Sequence, residues 1–185
     1  MNLSWLPNAL CVFRILLVAP IVAVLLDREF ALALALIVVA GASDGLDGFL
    51  AKTFSWRTRL GSLLDPAADK LLLMSVFVSL TYLGLVPVAV TAIVIGRDVV
   101  IVLGALSYQF WIGALSGEPT AISKLNTACQ LAFVVFAVMQ AAFAWPSPIA
   151  LMVLGAAVVF TSLTSGLAYV LDWSKRAWRE KHAGA

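Results

Sequence analysis

Six apolar runs fill most of this 185-residue chain, each near the roughly 20 residues a helix needs to cross a bilayer. They are Leu10–Leu26, Phe30–Leu50, Leu63–Val86, Val88–Ile112, Leu125–Trp145 and Ile149–Leu171. The runs are continuous rather than alternating, which predicts helices instead of barrel strands. The breaks between them are polar or rich in turn formers: Asp27-Arg28-Glu29, Leu83–Pro87, Ser116–Thr120 and Trp145–Pro148. Composition agrees, with 63% hydrophobic residues, a mean hydropathy of +1.04 and only 12% charged residues. A soluble domain carries about twice that charged fraction. The expected architecture is an all-α integral membrane protein of six transmembrane helices, a single domain over residues 1–185.

A net charge of +2 is too small to argue for nucleic acid. Cys11 and Cys129 lie inside apolar runs without metal-ligand spacing, so they read as small core residues. No basic residue precedes Leu10, and Arg14 interrupts the first run, so that run reads as a retained helix rather than a signal peptide. Lys52, Arg57, Arg59, Lys124, Lys175, Arg176, Arg179 and Lys181 all fall on one face of a six-helix chain, and Arg28 falls on the other. The positive-inside rule then puts both termini and the loop between helices two and three in the cytoplasm. The basic C-terminal stretch reads as a polar tail on an anionic leaflet, with Trp173 and Trp178 as interfacial anchors.

Against that background four carboxylates stand out. Asp44 and Asp47 are three apart at the end of the second run, and Asp65 and Asp69 are four apart at the start of the third. Each pair occupies one helix face. A short loop makes the two helices antiparallel neighbours, so the pairs can face each other near the cytoplasmic mouth. Asp65-Pro66 also reads as a helix start, with Asp65 as N-cap. Four clustered acids repel in a low dielectric, so some must be protonated or the cluster must bind cations. All-oxygen sites suit Mg²⁺ or Mn²⁺, and four acids suffice for two ions of the kind used in phosphoryl chemistry. Gly45, Gly48 and Gly61 surround the acids; they either let a ligand approach the backbone or allow tight helix packing.

The stretch DGLDGFLAKTFSWRTRLGSLLDPAAD closely resembles the signature of the CDP-alcohol phosphatidyltransferase family, D-x-x-D-G-x-x-A-R followed after eight residues by G-x-x-x-D-x-x-x-D. Asp44, Asp47, Gly48, Ala51, Gly61, Asp65 and Asp69 match at the family spacing. Lys52 stands where the family has arginine, which keeps the charge but loses the bidentate fork. The resemblance implies the family's six-helix fold and a two-metal site on Asp44, Asp47, Asp65 and Asp69, with Asp69 as general base. It implies a CDP site at Gly48, Ala51, Lys52, Thr58 and Gly61, with Asn8 of the LPNAL segment as a further contact. It also implies a homodimer.

SLTYLGLVPVAVTAIVIGRDVVIV and ISKLNTACQLAFV are similar to the CMP-forming cardiolipin synthases, one branch of that family. That likeness implies transfer of a phosphatidyl group from CDP-diacylglycerol to phosphatidylglycerol, in a bacterial cytoplasmic (inner) membrane or its equivalent, with the site facing the cytoplasm. Arg14, Arg97, Asp98, Lys124 and Asn126 are the acceptor-site candidates, though Arg97-Asp98 also reads as simple mutual neutralisation and Arg14 as a snorkelling side chain. The rival within the family is a phosphatidylglycerophosphate synthase using glycerol 3-phosphate. A transporter is disfavoured because residues 125–171 carry no charge. An intramembrane aspartyl protease is disfavoured because SDGLDG lacks a GxGD motif.

Overall fold

The computed structural model describes the backbone of residues 6–53, 61–111 and 121–183, and the side chains of residues 9–46, 66–104 and 121–171. Its elements are six helices: α1 (Leu6–Leu26), α2 (Phe30–Thr53), α3 (Gly61–Tyr82), α4 (Val88–Trp111), α5 (Ala121–Phe143) and α6 (Pro148–Ala183). Three of them contain described spans long and apolar enough to cross a membrane: Ala9–Leu26, Ala121–Phe143 and Pro148–Leu171. The burial pattern points the same way. Leu16, Met152 and Phe160 are about two-thirds exposed or more, whereas Arg14, Arg97, Asp98, Asn126 and Gln130 are buried. Water would oppose so much exposed apolar surface, and a bilayer favours it.

Two helix ends show why the runs break where they do. At the end of α3, Leu85 N–H reaches back to the Leu80 carbonyl (2.9 Å) and Gly84 N–H to Thr81 (3.0 Å), with Gly84 at φ +74°. This Schellman arrangement satisfies carbonyls the helix would otherwise orphan, and the left-handed residue it requires is a glycine. The third helix therefore stops at Tyr82, four residues before the expected Val86. The end of α1 has the same pattern, Glu29 N–H to Val24 and Arg28 N–H to Leu25, both 3.0 Å, but the left-handed position is held by Arg28 at φ 61°.

Other boundaries need correction. The third helix begins at Gly61, so Asp65 lies inside it and does not cap it, and Pro66 is an internal residue. Proline there forfeits one bond to the carbonyl four residues back, a loss confined to the first turns. Helix α5 starts at Ala121 rather than Leu125. The polar stretch after Leu171 continues α6 to Ala183, because no Gly or Pro interrupts it before Gly184.

The chain divides into two compact units. The first holds α1, α2, α3 and the second half of α5. In it α1 packs against both α2 and α3. Its core is a set of helical stripes: Cys11, Ile21 and Leu25 on α1, Ala33, Ile37 and Ala40 on α2, and Ala68, Leu72 and Val76 on α3. The second unit holds α4, the first half of α5 and α6. There α5 and α6 run antiparallel. Asn126 meets Ser162, and seven residues further along α5 Phe133 meets Gly155, seven residues back along α6. A Cβ on Gly155 would stand 3.3 Å from the Phe133 ring, so the missing side chain lets this seam close.

Candidate active site

The stripe that buries α2 does not end with apolar residues. Ala33, Ile37 and Ala40 recur at steps of four and three, and the next step of four is Asp44. On α3, Asp69 begins a similar series through Leu72 and Val76. On α1, Arg14 lies on the buried stripe between Cys11 and Ile21 and is 1% exposed. The three meet at a single atom. Arg14 Nη1 lies 2.9 Å from Asp44 Oδ1 and donates a hydrogen bond to Asp69 Oδ1. The arginine is buried, but the carboxylate side chains are 48% and 41% exposed. The site therefore has a cationic floor and an open, acidic upper side. A Cβ on Gly45 beside it would meet nothing within 4 Å among the described residues.

Acidic residues from two helices, drawn to one nitrogen and still reachable by solvent, are a hard-oxygen donor set that fits a divalent cation such as Mg²⁺ or Mn²⁺. No three acidic, His or Cys side chains cluster among the described residues. The side chains of Asp47 and Asp65, together with those of Asn8, Gly48, Ala51, Lys52 and Gly61, lie outside the described residues, as does Thr58 altogether. The helical backbone carries Asp47 one turn beyond Asp44, and Asp65 one turn before Asp69.

The second unit holds the other charged candidates. Arg97 Nη1 donates to Asp98 Oδ1 at 2.6 Å, and both side chains are buried. Arg97 Nη2 donates to Ser123 Oγ (2.6 Å) on α5 and Ser165 Oγ (2.7 Å) on α6. Asn126 Oδ1 accepts from Thr161 Oγ1 (2.9 Å) and Ser162 Oγ (2.8 Å). Lys124 is exposed. Three buried donors here have no hydrogen-bond partner among the described residues: Arg97 Nε, Asn126 Nδ2 and Gln130 Nε2. Ser123, Asn126 and Gln130 recur at steps of three and four, forming a polar line about 10 Å long at 1.5 Å per residue.

Arg97, Asp98 and Asn126 thus belong to one polar seam. Sequence reasoning missed Ser123, Gln130, Thr161, Ser162 and Ser165. The signal was available: three hydroxyls within five residues of an otherwise apolar run, and three polar residues at steps of three and four on the neighbouring helix.

Known proteins match this sequence. The chain is 33% identical over 180 residues to the cardiolipin synthase (CMP-forming) of Homo sapiens, which covers 89% of this chain and 60% of that protein. It is 34% identical over 104 residues to the cardiolipin synthase (CMP-forming) of Streptomyces coelicolor, 53% of this chain and 48% of that one. It is 32% identical over 156 residues to the chloroplastic CDP-diacylglycerol–glycerol-3-phosphate 3-phosphatidyltransferase 1 of Oryza sativa subsp. japonica, 75% of this chain and 47% of that one. The chain thus spans about 60% of the length of the human relative. The profile of the CDP-alcohol phosphatidyltransferases matches residues 4–163, which takes in the acid-bearing helices and all of the polar seam but Ser165. Sequence signature, six-helix architecture and converging acids agree with that match, and the chain belongs to the CDP-alcohol phosphatidyltransferase family.

Proposed function

We propose that the chain is a cardiolipin synthase of the CMP-forming type, moving a phosphatidyl group from CDP-diacylglycerol to a hydroxyl of phosphatidylglycerol. The observation that carries this reading is the meeting of Asp44 and Asp69 over Arg14, at the spacing of the family signature. The names of the human and Streptomyces relatives favour phosphatidylglycerol as acceptor. The rice relative keeps glycerol 3-phosphate as the rival acceptor. Residues 1–185 act as one catalytic domain.

In this reading Asp44, Asp47, Asp65 and Asp69 hold two Mg²⁺ or Mn²⁺ ions. Such ions, when bound, neutralise the pyrophosphate and stabilise the charge that builds on departing CMP. The chain's own residues do the rest. Gly48, Ala51, Lys52, Thr58 and Gly61, with Asn8, receive the cytidine nucleotide. Asp69 takes the proton of the acceptor hydroxyl as its oxygen attacks the phosphorus next to the lipid. The bond from that phosphorus to CMP breaks, and CMP leaves with the electron pair. Arg97, Asp98, Lys124 and Asn126, with Arg14 as a weaker candidate, serve the acceptor. The seam donors without a partner among the described residues support this, since a phosphodiester or glycerol oxygen is the kind of acceptor they would take. The six helices span a bacterial cytoplasmic membrane or its equivalent, with cytoplasmic termini and active site, and the protein works as a homodimer.

The test is direct. The purified protein receives CDP-diacylglycerol and Mg²⁺ or Mn²⁺ with either phosphatidylglycerol or glycerol 3-phosphate, and products are identified by mass spectrometry. Cardiolipin from the first reaction alone is expected. Phosphatidylglycerophosphate from the second alone would keep the chemistry and overturn the acceptor.

A further inference from the structure

We infer that Arg14 is a positioning residue for the metal-binding acids: it holds Asp44 and Asp69 through their Oδ1 atoms from the buried side, and their solvent side faces a divalent cation. The inference rests on the reading of those acids as metal ligands. It departs from an acceptor contact or a snorkelling side chain as the role of Arg14.

The geometry carries it. Arg14 is 1% exposed and is the largest fully buried side chain among the described residues. A buried guanidinium needs compensating charge, and two carboxylates on different helices supply it. The contact is asymmetric: the cation is enclosed, and the acids are open to solvent by nearly half. A guanidinium that merely snorkelled would present its charged end to water. Here it points inward, and the acids form the outer layer. Both contacts run to Oδ1 atoms and to the same nitrogen, so the two carboxyl groups are fixed relative to each other before any cation arrives. Two acids held apart by their own repulsion would otherwise have to be gathered by the metal itself. Hydrogen-bonded partners that orient ligating carboxylates in this way are worth about 10–100-fold in metal affinity.

The experiment measures Mn²⁺ binding to the full-length protein in detergent micelles, without lipid substrate, from the loss of the free-Mn²⁺ electron paramagnetic resonance signal. Arg14→Gln is expected to weaken Mn²⁺ binding by about 10–100-fold. Arg14→Lys keeps the charge but not the planar fork, and is expected to fall between the two. It also serves if Arg14→Gln does not fold. Adding Arg14→Gln to Asp44→Asn is expected to weaken binding by less than Arg14→Gln does alone, because the two changes share a partner. Unchanged or tighter Mn²⁺ binding in both Arg14 variants would overturn the inference and make the arginine a spectator or a competitor of the metal. Wild-type protein that binds no Mn²⁺ would instead remove the metal reading of the acids, and this inference with it.

Discussion

Arg14 and Arg97 are both buried arginines on apolar helices, and they are neutralised in opposite ways. Arg14 draws its counter-charges from two other helices, and those acids remain about half exposed. Arg97 is paired with its own chain neighbour, Asp98, both are buried, and two serine hydroxyls accept from its Nη2. The first arrangement leaves its carboxylates open to solvent. The second closes on itself, apart from single donor atoms. A charge in a membrane segment therefore has to be read together with the exposure of its partner: an open partner marks chemistry, and an enclosed one marks structure or a tightly fitted ligand.

Removing one charge from each region is the sharpest way to break that comparison. Asp69→Asn should lower CMP release by about 10²–10⁴-fold, the usual contribution of a positioned base, at a smaller cost to stability than Arg97→Met, because Asp44 still neutralises Arg14. A large loss of stability instead would make the acid structural. Arg97→Met should act mainly on the fold, destabilising it by about 3–5 kcal/mol because the buried Asp98 loses its ion-pair partner. Unfolding in mixed micelles measures it, and pairing the change with Asp98→Leu should recover most of the loss. Failure of the pair to recover would mean that Arg97 owes its place to more than neutralisation. The smallest effect is expected at Gln130. Its amide nitrogen has no partner among the described residues, so Gln130→Leu should be neutral or stabilising by up to about 1 kcal/mol. A loss above that size would reveal a partner for the amide.

The helices were legible because apolar runs of this length leave few alternatives, and the signature acids were legible because their spacing is that of a helix face. The ends were less so. LGLVP announced a break, but only the left-handed Gly84 and its two backward hydrogen bonds fix the stop at Tyr82. Asp65-Pro66 matched a capping pattern that the helix overrides by starting at Gly61. Ser123 and Lys124 interrupted the apolar signal at the start of α5 and hid the true helix start, and the bonds of Asn126 to Thr161 and Ser162 of α6 lie 35 and 36 positions away. The pairing of Arg14 with Asp44 and Asp69 is a contact across 30 and 55 positions of chain, and no local pattern encodes it.

The continuation of the α2 stripe into Asp44 has a consequence for what can vary in this protein. Ala33, Ile37, Ala40 and Asp44 keep a common phase around the helix axis. A single extra apolar residue inserted between Ala40 and Asp44 would leave hydropathy, charge and span length essentially unchanged. It would turn Asp44 by about 100° about the axis and carry it away from Arg14. By every bulk property the altered chain would be the same membrane protein, and its acid would face another direction.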